Sequence, residues 1–117
     1  MKNFQNLKIW QKGMEIVKAT YSLAKQLPSE EKYGLRIQIC KASVSIPSNI
    51  AEGSAKSSKK DYRNYLEISL ASAYELQTEL LVIEMLEFGD KQLIQSILGN
   101  VDEEQKMLQS FIKKVTS

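Results

Sequence analysis

The chain has no histidine, a single cysteine and only two prolines in 117 residues. Without histidine, Ser-His-Asp and Cys-His catalysis are ruled out, as are the Glu-x-x-His di-iron sites of some helical bundles. One cysteine, Cys40, supports neither an intramolecular disulfide nor a thiolate zinc site. No glycine-rich phosphate loop is present. Glu75 and Glu79 stand four apart and are spaced to share a metal ion or a proton. Exposed or ion-paired glutamates are the commoner outcome of that spacing. The expectation is a protein that is not an enzyme and carries no metal or other cofactor. Cys40 lies among Ile39, Ala42 and Val44 and reads as a small buried hydrophobe.

Long apolar runs are also missing. None approaches the roughly 20 residues that a membrane span needs. The N-terminal stretch carries charges through any would-be apolar region, so no signal peptide is expected and the expected location is the cytoplasm. The length suits one domain, residues 1–117. The 43% apolar content is enough for one hydrophobic core.

What is present is helical periodicity. The first helix is expected from about Asn6 to Leu27. Trp10, Met14, Val17, Tyr21 and Ala24 form one apolar stripe, and Ile9, Ile16, Thr20, Leu23 and Leu27 form a second beside it. Lys8, Lys12, Lys18 and Lys25 fall on the opposite side. The apolar arc is wider than the stripe that a monomer's surface helix needs, which points to more than one neighbour. Trp10, Met14 and Tyr21 are therefore candidates for an oligomer interface, together with Tyr74 on the third helix. Pro28 ends the first helix.

Ser29 is the expected N-cap of the second helix, with Glu30 and Glu31 in its first turn. Leu35, Ile39, Ala42, Ile46 and Ile50 repeat at helical spacing, and Pro47 inside that pattern is expected to kink the helix. Ser43, Ser45, Ser48 and Asn49 surround it and are able to bond the freed carbonyls. Gly53 and Ser54 close the helix. Ser58, with Asp61 three residues later, opens the third. There Tyr62, Leu66, Ser69, Ala73, Leu76, Leu80 and Ile83 follow a 4–3 heptad spacing. Leu70, Tyr74, Leu81, Met85 and Phe88 form a second line, so this helix is expected at the centre, ending at Gly89 as C′. Asp90 caps the fourth helix, which Gly99-Asn100 is placed to bend or split. Short connections make neighbours antiparallel, giving an all-α, up-down-up-down four-helix bundle.

Charge is unevenly spread. Residues 1–27 hold five lysines against one glutamate, net +4, and residues 28–60 six cations against three acids, net +3. Residues 61–90 hold one arginine against seven acids, net −6. Two readings stay open: a basic first helix beside an acidic third, or a basic outer face for a polyanion. Lys56, Lys59, Lys60 and Arg63, at the junction of the second and third helices, make a reasonable anion site, and Lys8 and Lys12 would extend it. The run Ser45-Ile46-Pro47-Ser48-Asn49-Ile50-Ala51-Glu52-Gly53 breaks local helix rules. Its structural reading has Asn49 and Glu52 bonded inside the bundle, with Arg36 or Lys41 as partners; the other reading is a ligand site.

That run, together with Phe4, Leu7 and Trp10, Pro28-x-x-Glu31-x-x-Gly34-Leu35, Gln38, and Ser72-x-x-Glu75-Leu76, resembles the bacterial four-helix bundle family of 23S rRNA intervening-sequence proteins. The match extends from about Phe4 to Leu86. It is similar as well to the accessory variability protein of diversity-generating retroelements. The resemblance implies a four-helix protomer assembling as a barrel-like homopentamer. For the retroelement relative it implies partners: a reverse transcriptase, and RNA or DNA held on a basic surface. The intervening-sequence members take their name from gene location, which does not itself imply RNA binding. The leading expectation is a self-assembling helical protein with weak, sequence-nonspecific nucleic-acid affinity. The alternative is a protein-interaction or scaffold module.

Overall fold

The computed structural model describes residues 3–117. Four helices make up the fold: α1 (Lys8–Ala24), α2 (Leu35–Ser54), α3 (Lys59–Met85) and α4 (Lys91–Thr116), with 3-10 turns at Phe4–Asn6 and Ser29–Glu31. Each helix packs on its sequence neighbours and α1 closes on α4, the square of an antiparallel four-helix bundle. No strand occurs among the described residues, and no helix there is long and apolar enough to cross a membrane. The bundle is 43 Å long and about half as wide.

The core follows the expected periodicity. On α1 the stripe Ile9, Ile16, Thr20, Leu23 and Leu27 is buried, while Met14 and Tyr21 of the other stripe remain 44% and 46% exposed. Every residue of the α3 heptad seam is buried. Its second line is not: Tyr74, Leu81 and Met85 are exposed. α3 is therefore a corner of the square, not its centre. By the same geometry, basic α1 lies diagonal to acidic α3 and does not pack beside it.

Two helix ends differ from expectation. Ser29 starts only a 3-10 turn, because its hydroxyl bonds the Glu30 carboxylate. α2 begins at Leu35, whose N–H donates to Glu31 Oε1 at 3.2 Å. At the end of α3 the left-handed C′ residue is Glu87 (φ 59°), not Gly89. The Phe88 N–H reaches the Ile83 carbonyl and the Glu87 N–H the Glu84 carbonyl, the bond pair of a Schellman motif. Gly89 also has positive φ (73°), and a Cβ there would come within 2.8 Å of Leu23 Cδ1. The Ser58 and Asp90 caps are formed as expected, on Asp61 N–H and Leu93 N–H. α4 runs unbroken through Gly99.

Candidate functional site

The odd run around Pro47 is a clamp that joins three helices. α2 continues through Pro47, which is fully packed. Its ring lies so near α1 that a Cβ on Gly13 would sit 3.3 Å from it. On the α3 side the Ser69 hydroxyl donates to the Ile46 carbonyl at 2.8 Å, and Ser45 and Ser72 share a bond of 2.7 Å. Ser72 spends its one proton on the Ile68 carbonyl, so Ser45 is the donor between them. Asn49 Nδ2 completes the chain by donating to both the carbonyl and hydroxyl oxygens of Ser45. One turn on, Gly53 lets the helices touch: a Cβ there would lie 2.8 Å from Tyr65 Cβ. Glu52 takes no part; it is exposed, since it faces away from Ile46, Ile50 and Gly53. Arg36 donates instead to the Leu27 carbonyl. Glu75 is also exposed, one turn before Glu79, whose pKa it helps to raise.

The basic residues collect at one end. Antiparallel topology brings together the start of α1, the α2–α3 connection and the end of α4. Lys56, Lys59, Lys60 and Arg63 are there, with Lys8 at the start of α1; Lys12, one turn further along α1, instead faces Glu103 at the middle of α4. Lys113 and Lys114 are at the same end, and Lys106 lies further along α4 on the cleft that Lys8 and Lys114 share. The sequence reading left these three out, because the end of α4 becomes a neighbour only once the bundle closes. Some of these charges are compensated. Lys12 Nζ lies 2.8 Å from Glu103, Arg63 pairs with Glu67 at 3.0 Å, and Lys106 with Asp102 at 3.1 Å. Lys56 stands over the Tyr65 ring at 5.1 Å. Lys8, Lys59, Lys60, Lys113 and Lys114 are exposed and form no salt bridge with the described residues. A cleft of about 680 Å³ between α1 and α4 is lined by Asn6, Leu7, Lys8, Ile9, Lys106, Met107, Ser110, Phe111 and Lys114. A smaller one of about 290 Å³ shares Phe111 and Lys114 and adds Lys59.

A second surface is apolar. Between α1 and α2 runs a groove of about 690 Å³ lined by Tyr21, Ala24, Ile37, Cys40 and Val44, with Lys25, Arg36 and Lys41 along it. It continues through Val44 into a hollow bounded by Trp10, Met14, Val17 and Pro47. Cys40 is half-buried, and burial pushes its thiol up against the opposing effect of a Tyr21 hydrogen bond. Trp10, Met14 and Tyr21 thus share one face. Tyr74 does not: it lies on the α3–α4 side, where its hydroxyl accepts from Gln109.

The interior holds an acid that the sequence reading did not place there, and a second is half-buried. Glu104 is fully buried, and neither carboxyl oxygen has a hydrogen-bond partner among the described residues. Burial raises its pKa to about 8 against the pull of Lys12. Glu79 is raised to about 7, by burial first and then by the charge and hydrogen bond of Glu75. Glu104 is therefore mostly the neutral acid near pH 7, and Glu79 is divided about evenly between its two forms.

The 23S rRNA-intervening sequence protein family matches residues 5–110. A crystal structure of a protein of unknown function from the S23 ribosomal protein family of Bacteroides thetaiotaomicron superposes with a TM-score of 0.83 at 30% identity, covering 90% of this chain and 98% of that one. No curated protein matches. Neither match is described as an enzyme.

Proposed function

The chain belongs to the 23S rRNA-intervening sequence protein family, and we propose that it acts without catalysis, as a self-assembling bundle that holds nucleic acid weakly and without sequence readout. The observation that carries this reading is the basic end of the bundle. Lysines from three separate chain segments meet there, most of them without a compensating acid. Such contacts bind phosphates and carry no base specificity.

Self-assembly rests on the two apolar faces. A closed ring of an odd number of copies uses a heterologous interface, one face of each copy against a different face of the next. The α1–α2 groove is apolar and flanked by Lys25, Arg36 and Lys41. The exposed line of Tyr74, Leu81 and Met85 lies on acidic α3. The diagonal placement of α1 and α3 leaves these opposite charges for another copy to meet. Five is the copy number that the family resemblance implies. The same groove favours a second reading, a scaffold whose partner is another protein, and retroelement relatives make a reverse transcriptase one such partner.

Fluorescence anisotropy with a labelled oligonucleotide at low ionic strength tests the first reading. Binding is expected to fall steeply with added salt, and replacing Lys56, Lys59, Lys60 and Arg63 by alanine is expected to weaken it. Absence of any salt-sensitive signal with RNA and DNA would refute nucleic-acid binding. Light scattering reads the assembly: the proposal requires five times the 13.3 kDa protomer mass.

A further inference from the structure

We propose that the cleft between α1 and α4 takes an unpaired base, so that the basic end binds single-stranded nucleic acid in preference to duplex. This rests on the reading of the basic end as a nucleic-acid surface and goes beyond it. Phosphates need only cations, and exposed lysines on the pole supply those. The cleft offers more than charge. Its floor is apolar, made by Leu7, Ile9, Met107 and the partly exposed Phe111, and Lys8, Lys106 and Lys114 rim it. Neither it nor the smaller cleft beside it is lined by an aspartate or glutamate. Phe111 and Lys114 line both, so one apolar floor with lysines on either side crosses the last turns of α4.

A duplex keeps its base faces stacked inside and presents this end only with phosphate and sugar. It has nothing to place on an apolar floor. A single strand has exposed base faces spaced between phosphates, which matches apolar surface alternating with cations. Asn6 and Ser110 at the edge of the cleft are within reach of base or sugar polar atoms without fixing a sequence.

The test compares a labelled single strand free of self-complementarity, as RNA and as DNA, with its own duplex, by anisotropy at low salt. The single strand is expected to bind roughly ten-fold more tightly. Phe111→Leu leaves every charge in place and is expected to lower single-strand affinity several-fold while leaving duplex affinity unchanged. Phe111 also stacks edge-on against Tyr62, so its variant is checked for folding by circular dichroism. Ser110 is exposed and Ser110→Glu does not touch the core. It puts a carboxylate in the cleft and is expected to weaken the single strand more than the duplex. Equal affinities, or equal losses for both probes, overturn the cleft and leave the basic end standing. Binding of neither probe overturns both.

Discussion

Glu104→Gln is expected to make the protein more stable at neutral pH. In the native bundle the Glu104 carboxyl is fully buried, lies close to Gly13 and Pro47, and has its pKa moved from 4.5 to about 8. The sign follows from proton linkage. Below pH 4.5 the acid is protonated in both the folded and unfolded chains and costs nothing extra. Between 4.5 and 8 the unfolded chain releases the proton and the native one keeps it, so stability falls as pH rises, by about 1.4 kcal/mol per unit. At pH 7 that amounts to about 3 kcal/mol, a large part of the 5–15 kcal/mol typical of a domain. Lys12 pulls the other way, but its ammonium is bonded to Glu103 at 2.8 Å. Glutamine keeps the shape and removes the titration. Its amide meets the same surroundings as the neutral acid, so the two proteins should agree near pH 4 and diverge steadily toward pH 8. Urea melts followed by circular dichroism, at one protein concentration, measure this. Glu79 also has a raised pKa and slopes in the same direction, but it is present in both proteins and cancels in the difference. A difference that stays constant between pH 5 and pH 8 would refute the reasoning.

Two glycines should respond oppositely to alanine. Gly53→Ala forces a methyl against Tyr65 Cβ and the Tyr62 backbone and should cost about 1–3 kcal/mol in the same melts. Gly99→Ala meets nothing within 4 Å inside a continuous helix and should gain up to about 1 kcal/mol. Glu87→Gly relieves a left-handed side chain at the α3 terminus and should raise stability by about 0.5–1 kcal/mol, read as a higher thermal midpoint.

The helices were legible because burial here follows spacing. The 4–3 pattern from Tyr62 to Ile83 marks the face that α3 buries. Likewise, of the two α1 stripes one fills the core and the other lines a groove, as an over-wide apolar arc requires. Helix ends were less legible, because cap chemistry is not unique to caps. Ser29 and Glu31 carry N-terminal signals, but Ser29 bonds Glu30, and Glu31 acts across a turn on Leu35. At the α3 terminus a glutamate took the position expected of glycine, since bonds to Ile83 and Glu84 hold it there. Glu104 was hidden by its chemical type: Asp102-Glu103-Glu104-Gln105 reads as a solvated stretch. Its position was nevertheless readable, seven residues after Ile97 and three after Val101, on the buried face of α4. The candidate basic site was half legible. Lysines near one another in sequence were found, but those of α4 join them only through topology.

The lysine-rich end has a direction as well as a location. In the ring proposed above, cyclic symmetry would keep every copy the same way up, and bundles standing side by side would present all their basic ends on one rim. If the basic end binds nucleic acid as proposed, a strand that leaves one copy's lysines would meet the next copy's before it could diffuse away. Its retention would then be set by effective concentration around the rim. Such a rim would gain avidity from sites that are individually feeble, so a modest charge on each chain would still retain a strand. Under this arrangement the length of the nucleic acid, more than its sequence, decides how tightly it is kept.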